Sequence, residues 1–230
     1  MASIPFPKGG CVVEPVTPAP LTPQREAKIK LRLAKAKTNL VLGHPFVGSI
    51  ALNLPYQIDQ SIPTAATNGK VIKFNPDFVE SLNDEELVFL VAHECFHPML
   101  EHNFRRGERD HRKWNQAGDY VINQLLTDEK IGKMPKQGLL NKATYDAGGG
   151  TTDGIYGILP DNPDGDDPLD DCEDGGGTPA EREQQKAEWK VKVAQAAQAA
   201  KMMGKLSANL ARLVDEVLQP KVDWRDVLRR

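Results

Sequence analysis

The sequence is poor in cysteine and in long apolar runs. Its three cysteines, Cys11, Cys95 and Cys172, are scattered over 230 residues with no CxxC pair. An odd, scattered set argues against both a disulfide framework and a cysteine zinc finger. The longest apolar run, Leu87 to Ala92, is six residues, far short of the roughly 20 that a membrane-spanning helix needs. An excess of one charge is also missing. With 29 basic and 32 acidic residues the net charge is −3, which gives no field to gather nucleic acid or anionic lipid. The first 23 residues hold six prolines and a single lysine, without the charged start and apolar stretch of a secretion signal. These absences predict a cytoplasmic protein with neither a nucleic-acid nor a membrane partner. Its chemistry would rest on His, Asp and Glu.

What is present suffices for a core, with 40% hydrophobic and 27% charged residues. The pattern divides the chain into a Pro-rich disordered arm (1–22), a core (23–160), a flexible acidic loop (161–177) and a C-terminal helical segment (178–230). Helical spacing of Ile29, Leu33, Ala36 and Leu40 predicts a helix from Pro23 to Leu42. Phe46 to Leu54 is apolar and partly β-branched and reads as a strand. Asn68-Gly69 between Thr64–Thr67 and Lys70–Phe74 reads as a hairpin with a type I′ turn. Asn75-Pro76 opens a short helix, and Asn83 with Glu86 forms a capping box for another. A third helix is expected over about Asp110–Leu126, then loop from Gly138 to Gly154. The stretch 161–177 holds seven Asp and one Glu. Thr178-Pro179-Ala180-Glu181 starts a long Ala-rich helix to Met203, followed by a helix over Ser207–Leu218 that Pro220 stops. Asp223 would cap one more helix, cut short at Arg230, as in a fragment of a longer protein.

The second capped helix leads into His93-Glu94-Cys95-Phe96-His97, an HExxH motif. Residues four apart share a helix face, so both imidazoles can hold one metal ion. Glu94, offset by one residue, is placed to act on a water as a base. With five histidines in the chain, such a motif is expected by chance only about 0.007 times. A third ligand is needed. His102 is nearest, but on a continuing helix it would face about 140° away; it stands as an alternative ligand or a support for one. Asp119 is the better candidate, 22 residues after His97. Asn115, Asp119 and Asn123 are spaced by four and line one face, so Asp119 would ligate while Asn123 or Asn115 orients a ligand.

The run from Thr64 to Gly69, Asn75-Pro76, Ala92 to His102 and Trp114 to Asn123 resembles, in order and spacing, the N-terminal metallopeptidase domain found upstream of VWA-like domains. Glu188-Trp189-Lys190 and Pro220 to Trp224 extend the likeness. The resemblance implies a zincin-like site, with a VWA-like half absent from this chain and an AAA-type ATPase as a working partner. By the same likeness, Lys70, Val71, Ile72, Lys73 and Phe74 correspond to the edge strand on which zincins add an extended substrate. Tyr120 and Tyr156 are candidate donors to a tetrahedral oxyanion.

The expected architecture is α+β: a zincin-like domain with a small sheet and an HExxH helix, plus C-terminal helices. The expected function is hydrolysis of a protein or peptide substrate by a water activated on one Zn2+ per chain. Two His and a carboxylate also suit other divalent transition metals. The alternative is a non-catalytic, metal-stabilised interaction module.

Overall fold

The computed structural model describes residues 20–136, 138–161, 170–173 and 175–219. Most of the predicted N-terminal arm, Cys11, most of the acidic loop, and Pro220 with the helix expected after it lie outside the described residues. The described chain is α+β, mostly helical, with ten helices and a small sheet of four three-residue strands.

Helix α1 (Pro23–Gly43) starts where Thr22 Oγ1 accepts from the Arg25 amide and Pro23 takes the first turn. It buries the stripe Ile29, Leu33, Ala36 and Leu40. The segment expected as a strand from Phe46 is instead helix α2 (Pro45–Leu52). Six of its eight residues are buried. A short helix buried on nearly every side shows no 3.6-residue period, so its pattern is indistinguishable from a buried strand. The true sign was Gly48. A Cβ there would lie 2.4 Å from the Val41 Cα, so only glycine lets α2 fold back so closely on α1.

Strand β1 (Tyr56–Ile58) runs parallel to β3 (Ile72–Phe74), and β2 (Ala65–Thr67) runs antiparallel to β3. The β2–β3 connection is not a type I′ turn, which needs positive φ twice. Only Gly69, at φ 79°, is left-handed. Asn68 Oδ1 instead accepts from the Lys70 and Val71 amides, at 2.9 and 3.0 Å, and closes the loop through its side chain. The strand order is β1-β3-β2-β4. The expectation that Lys70–Phe74 forms an edge strand is therefore corrected: β3 is interior, paired on both sides.

Helix α3 (Pro76–Ser81) begins at the Asn75 cap, and α4 (Asp84–Met99) at the Asn83–Glu86 capping box. Every α4 residue from Leu87 to Met99 is buried. One side packs on α1 and α2. Helix α5 (His102–Arg105) follows after a reversal, and α6 (His111–Asp128) is capped by Asp110. The stretch read as loop between Gly138 and Gly154 carries α7 (Lys142–Ala147) and starts α8 (Thr152–Ile158), which lie on α6. These helices of six and seven residues are too short to show a period. Within the acidic segment, β4 (Asp170–Cys172) pairs parallel with β2, so that part is strand rather than loop. Helix α9 (Pro179–Met202) packs on α2 and α4, and its Trp189 Nε1 donates to the Gly69 carbonyl at 2.9 Å. Helix α10 (Ala208–Leu218), capped by Ser207, packs on α9.

Candidate metal centre

The site forms where the C-terminal half of α4 meets the middle of α6. His93 and His97, one turn apart on α4, point their Nε2 atoms at each other, 3.0 Å apart. Asp119 Oδ1 on α6 is 3.5 Å from each. His93, His97 and Asp119 are the only group of three or more His, Cys, Asp or Glu among the described residues able to share one ion. All three, and Glu94, are 0% exposed.

On both rings Nε2 is the nitrogen that faces inward, and the contacts at Nδ1 show how it can present a lone pair. Asn123 Nδ2 donates to the Leu139 carbonyl at 2.9 Å, so its Oδ1 is turned to His93 Nδ1, 2.8 Å away. The amide oxygen can only accept, so Nδ1 carries the His93 proton and Nε2 presents a lone pair. On the other ring, His97 Nδ1 lies 3.1 Å from His102 Nδ1, and His102 Nε2 lies 2.8 Å from Thr152 Oγ1. Thr152 Oγ1 can donate or accept; in the tautomer where His102 donates to it from Nε2, His102 Nδ1 accepts from His97 and His97 Nε2 is left as a lone pair.

Two lone pairs and a carboxylate oxygen thus converge. Their separations of 3.0, 3.5 and 3.5 Å bracket the edge of about 3.3 Å that a tetrahedral ion with bonds of about 2.0–2.1 Å requires. Buried carboxylates are costly unless paired or ligated to metal. Donor chemistry and spacing therefore fit a divalent transition ion.

His102 reaches this neighbourhood by a route that helical spacing does not show. Pro98 lies inside the last turn of α4, the helix ends at Met99, and Glu101 adopts a left-handed conformation at φ 62°. The reversal swings His102 back, where a continuing helix would have carried it away. It braces His97 through Nδ1. Trp114 Nε1 in turn donates to the His102 carbonyl at 3.1 Å. Gly118, one residue before Asp119, makes room: a Cβ there would be 2.8 Å from His102 Nδ1.

The polar face of α6 divides its tasks. Asp119 faces the imidazoles, and Asn123 orients His93. Asn115 Oδ1 accepts from the Cys172 amide at 3.1 Å and so holds β4. Tyr156 is seated away from the triad. Tyr156 OH accepts from the Asp110 amide at 3.1 Å, at the far end of α6, and its ring meets Trp114 edge-to-face. Tyr120 is half-buried and packs against the core. Lys73, within the interior strand, pairs with Glu173 at 2.6 Å. Thr152 and the Leu139 carbonyl were not foreseen. A backbone carbonyl has no sequence signal, and a threonine at a helix start reads as a cap.

Taken together, fold and site define an α+β domain with a buried His-His-Asp centre suited to metal. The matching family model is described as "Putative metallopeptidase domain" and fits residues 28–147 and 163–230. The chain belongs to this family. No curated protein and no solved structure matches it. Among the described residues no helix is long and apolar enough to cross a membrane.

Proposed function

We propose that the chain is a zinc-dependent peptidase of zincin-like fold, with zinc on His93, His97 and Asp119 and Glu94 as general base. The convergence of three protein donors carries this reading. A structural zinc site uses four protein ligands, whereas three leave the open position that catalysis needs. Bound zinc supplies Lewis acidity, which brings the pKa of a water to about 7 and polarises a carbonyl. Glu94, next to His93 on α4, accepts a proton from the attacking water and delivers it to the leaving amine. Asn123 and His102 hold the imidazoles with Nε2 forward, so no reorientation is needed when substrate arrives. The substrate is a protein or peptide. A following VWA-like domain and an AAA-type ATPase are the partners that the family resemblance suggests.

One observation favours a second reading, a metal-stabilised interaction module: the triad and Glu94 are 0% exposed, as structural sites tend to be. Glu94→Gln separates the two, since it keeps size and hydrogen bonding but cannot take a proton. With zinc content and circular dichroism unchanged, a peptidase loses roughly 10²–10⁴-fold in hydrolysis of a quenched-fluorescent peptide mixture. Activity that is equal in wild type and Glu94→Gln, yet absent in His93→Ala, would overturn the catalytic role.

A further inference from the structure

The sheet beside the metal site has one edge strand held largely through its backbone. In the strand order β1-β3-β2-β4, β4 occupies the outer edge of β2. Ala65, Ala66 and Thr67 pair in parallel with residues 170, 171 and 172. Without β4, β2 would be an edge strand presenting free backbone groups, the usual template for an added chain. The opposite edge is different. β1 is tied to α1, with Tyr56 OH donating to the Lys30 carbonyl at 3.4 Å and Lys37 Nζ lying 5.0 Å from the Tyr56 ring centroid.

The groups that hold β4 come from the surroundings of the metal site, and they grip main-chain atoms. Asn115, one turn before Asp119 on α6, accepts from the Cys172 amide at 3.1 Å. His111 Nε2 lies 3.1 Å from the Cys172 carbonyl. Asn103, next to His102, donates to the carbonyls of Thr67 and Glu173, each at 2.7 Å. Its own carbonyl accepts from the Gly175 amide at 3.0 Å. Asn103 thus clamps both strands at once. Side chains that recognise backbone accept any extended chain, because main-chain hydrogen bonds give affinity without regard to sequence.

The occupant is also weakly committed. β4 pairs on one side only, along three residues, at the short limit of strand length. The stretch 161–177 is dominated by Asp, Glu and Gly, with Leu169 and Cys172 as its apolar residues, a composition that offers few groups for hydrophobic burial. Beyond its backbone contacts, the ion pair of Glu173 with Lys73 at 2.6 Å tethers the strand by a side chain.

We propose that β4 is an intramolecular occupant of the β2 edge, and that an extended peptide binds there by displacing it. This rests on the peptidase reading for its catalytic consequence, but edge binding can be measured without catalysis. The full-length, zinc-loaded chain is used throughout. The probe is a fluorescently labelled synthetic peptide of residues 168–177, added in trans and followed by anisotropy. Cys172→Pro removes the amide that Asn115 accepts and opens the edge. Thr67→Cys places a thiol opposite Cys172, its Cα partner in the ladder, so oxidation locks β4 in place and reduction releases it.

Cys172→Pro is expected to bind the probe at least tenfold more tightly than wild type, and oxidised Thr67→Cys at least tenfold more weakly than its reduced form. Equal binding in all four states would overturn the proposal. If Cys172→Pro fails to fold, Glu173→Lys, which sets like charges against Lys73, makes the same comparison. Hydrolysis of the peptide mixture is measured in parallel, each variant with and without Glu94→Gln. Glu94-dependent hydrolysis rising and falling with probe binding supports both claims. Probe binding in the expected order with no such hydrolysis leaves edge displacement standing and overturns the peptidase reading.

Discussion

The two sides of α4 are built from opposite materials. Toward α1 and α2 the contacts are apolar, from Leu33, Leu40, Phe46 and Ile50 among others, each at most 1% exposed. Toward α6 the helix meets Asp119 and Asn123, with His102 braced against His97 beyond its end. The apolar side carries the burial energy, at about 25 cal/mol per Å² of apolar surface removed from water. The polar side gives little net stability. Its hydrogen bonds contribute about 0.5–1.5 kcal/mol each, and converging electron-rich atoms repel until a cation joins them. One side of the helix thus holds the other in a geometry that it would not adopt alone.

That division predicts separable failures. The largest effect belongs to the apolar side. Phe46→Ala should cost about 3–5 kcal/mol of stability in chemical denaturation, while the protein that remains folded still binds one metal ion. Metal affinity falling in step with the truncation would mean that the two sides are not independent. On the polar side, Asn123→Ala should weaken metal binding about 10–100-fold in chelator competition and lower metal-free stability by about 1–3 kcal/mol, less than Phe46→Ala does. A loss of metal-free stability as large as that of Phe46→Ala would show that Asn123 is a core element and not a positioning group.

The smallest effect concerns Cys95. Burial pushes its thiol up to about 12, despite the nearby Lys37 charge. The folded chain keeps the proton where the unfolded chain, with the ordinary thiol pKa of about 9.0, releases it. Its contribution to stability is therefore complete below about pH 9 and declines as pH rises toward 12. At pH 8 the thiol should resist alkylation in the native state and react fully in denaturant. Rapid native alkylation, read by intact mass, would mean that the α1-facing side of α4 is open.

What the sequence made legible follows the same divide. Helices with local signals were readable: the Asn83–Glu86 box, the Thr178 cap and the stripe of α1 are each written within a few residues. HExxH and the four-residue spacing of Asn115, Asp119 and Asn123 exposed the site face for the same reason. Features set by tertiary approach were not legible. Phe46–Leu54 lost its period because α2 is buried nearly all round. His102 was misdirected because the left-handed Glu101 follows a helix end that Pro98 does not fix by itself. β4 was hidden in an acidic stretch, since its pairing is made by Asn103 and Asn115 from distant parts of the chain.

The central claim is that Asp119, and not His102, completes the ligand set with His93 and His97. The direct measurement is metal stoichiometry with X-ray absorption at the zinc edge, on wild type, Asp119→Ala and His102→Ala purified in parallel. The account predicts one zinc per chain in wild type, with two imidazole ligands and oxygen completing the shell. Asp119→Ala should lose the ion on dialysis against a weak chelator, and His102→Ala should keep it with the same ligand count. A wild-type spectrum with three imidazoles, or a zinc site that survives Asp119→Ala and is lost in His102→Ala, would contradict it.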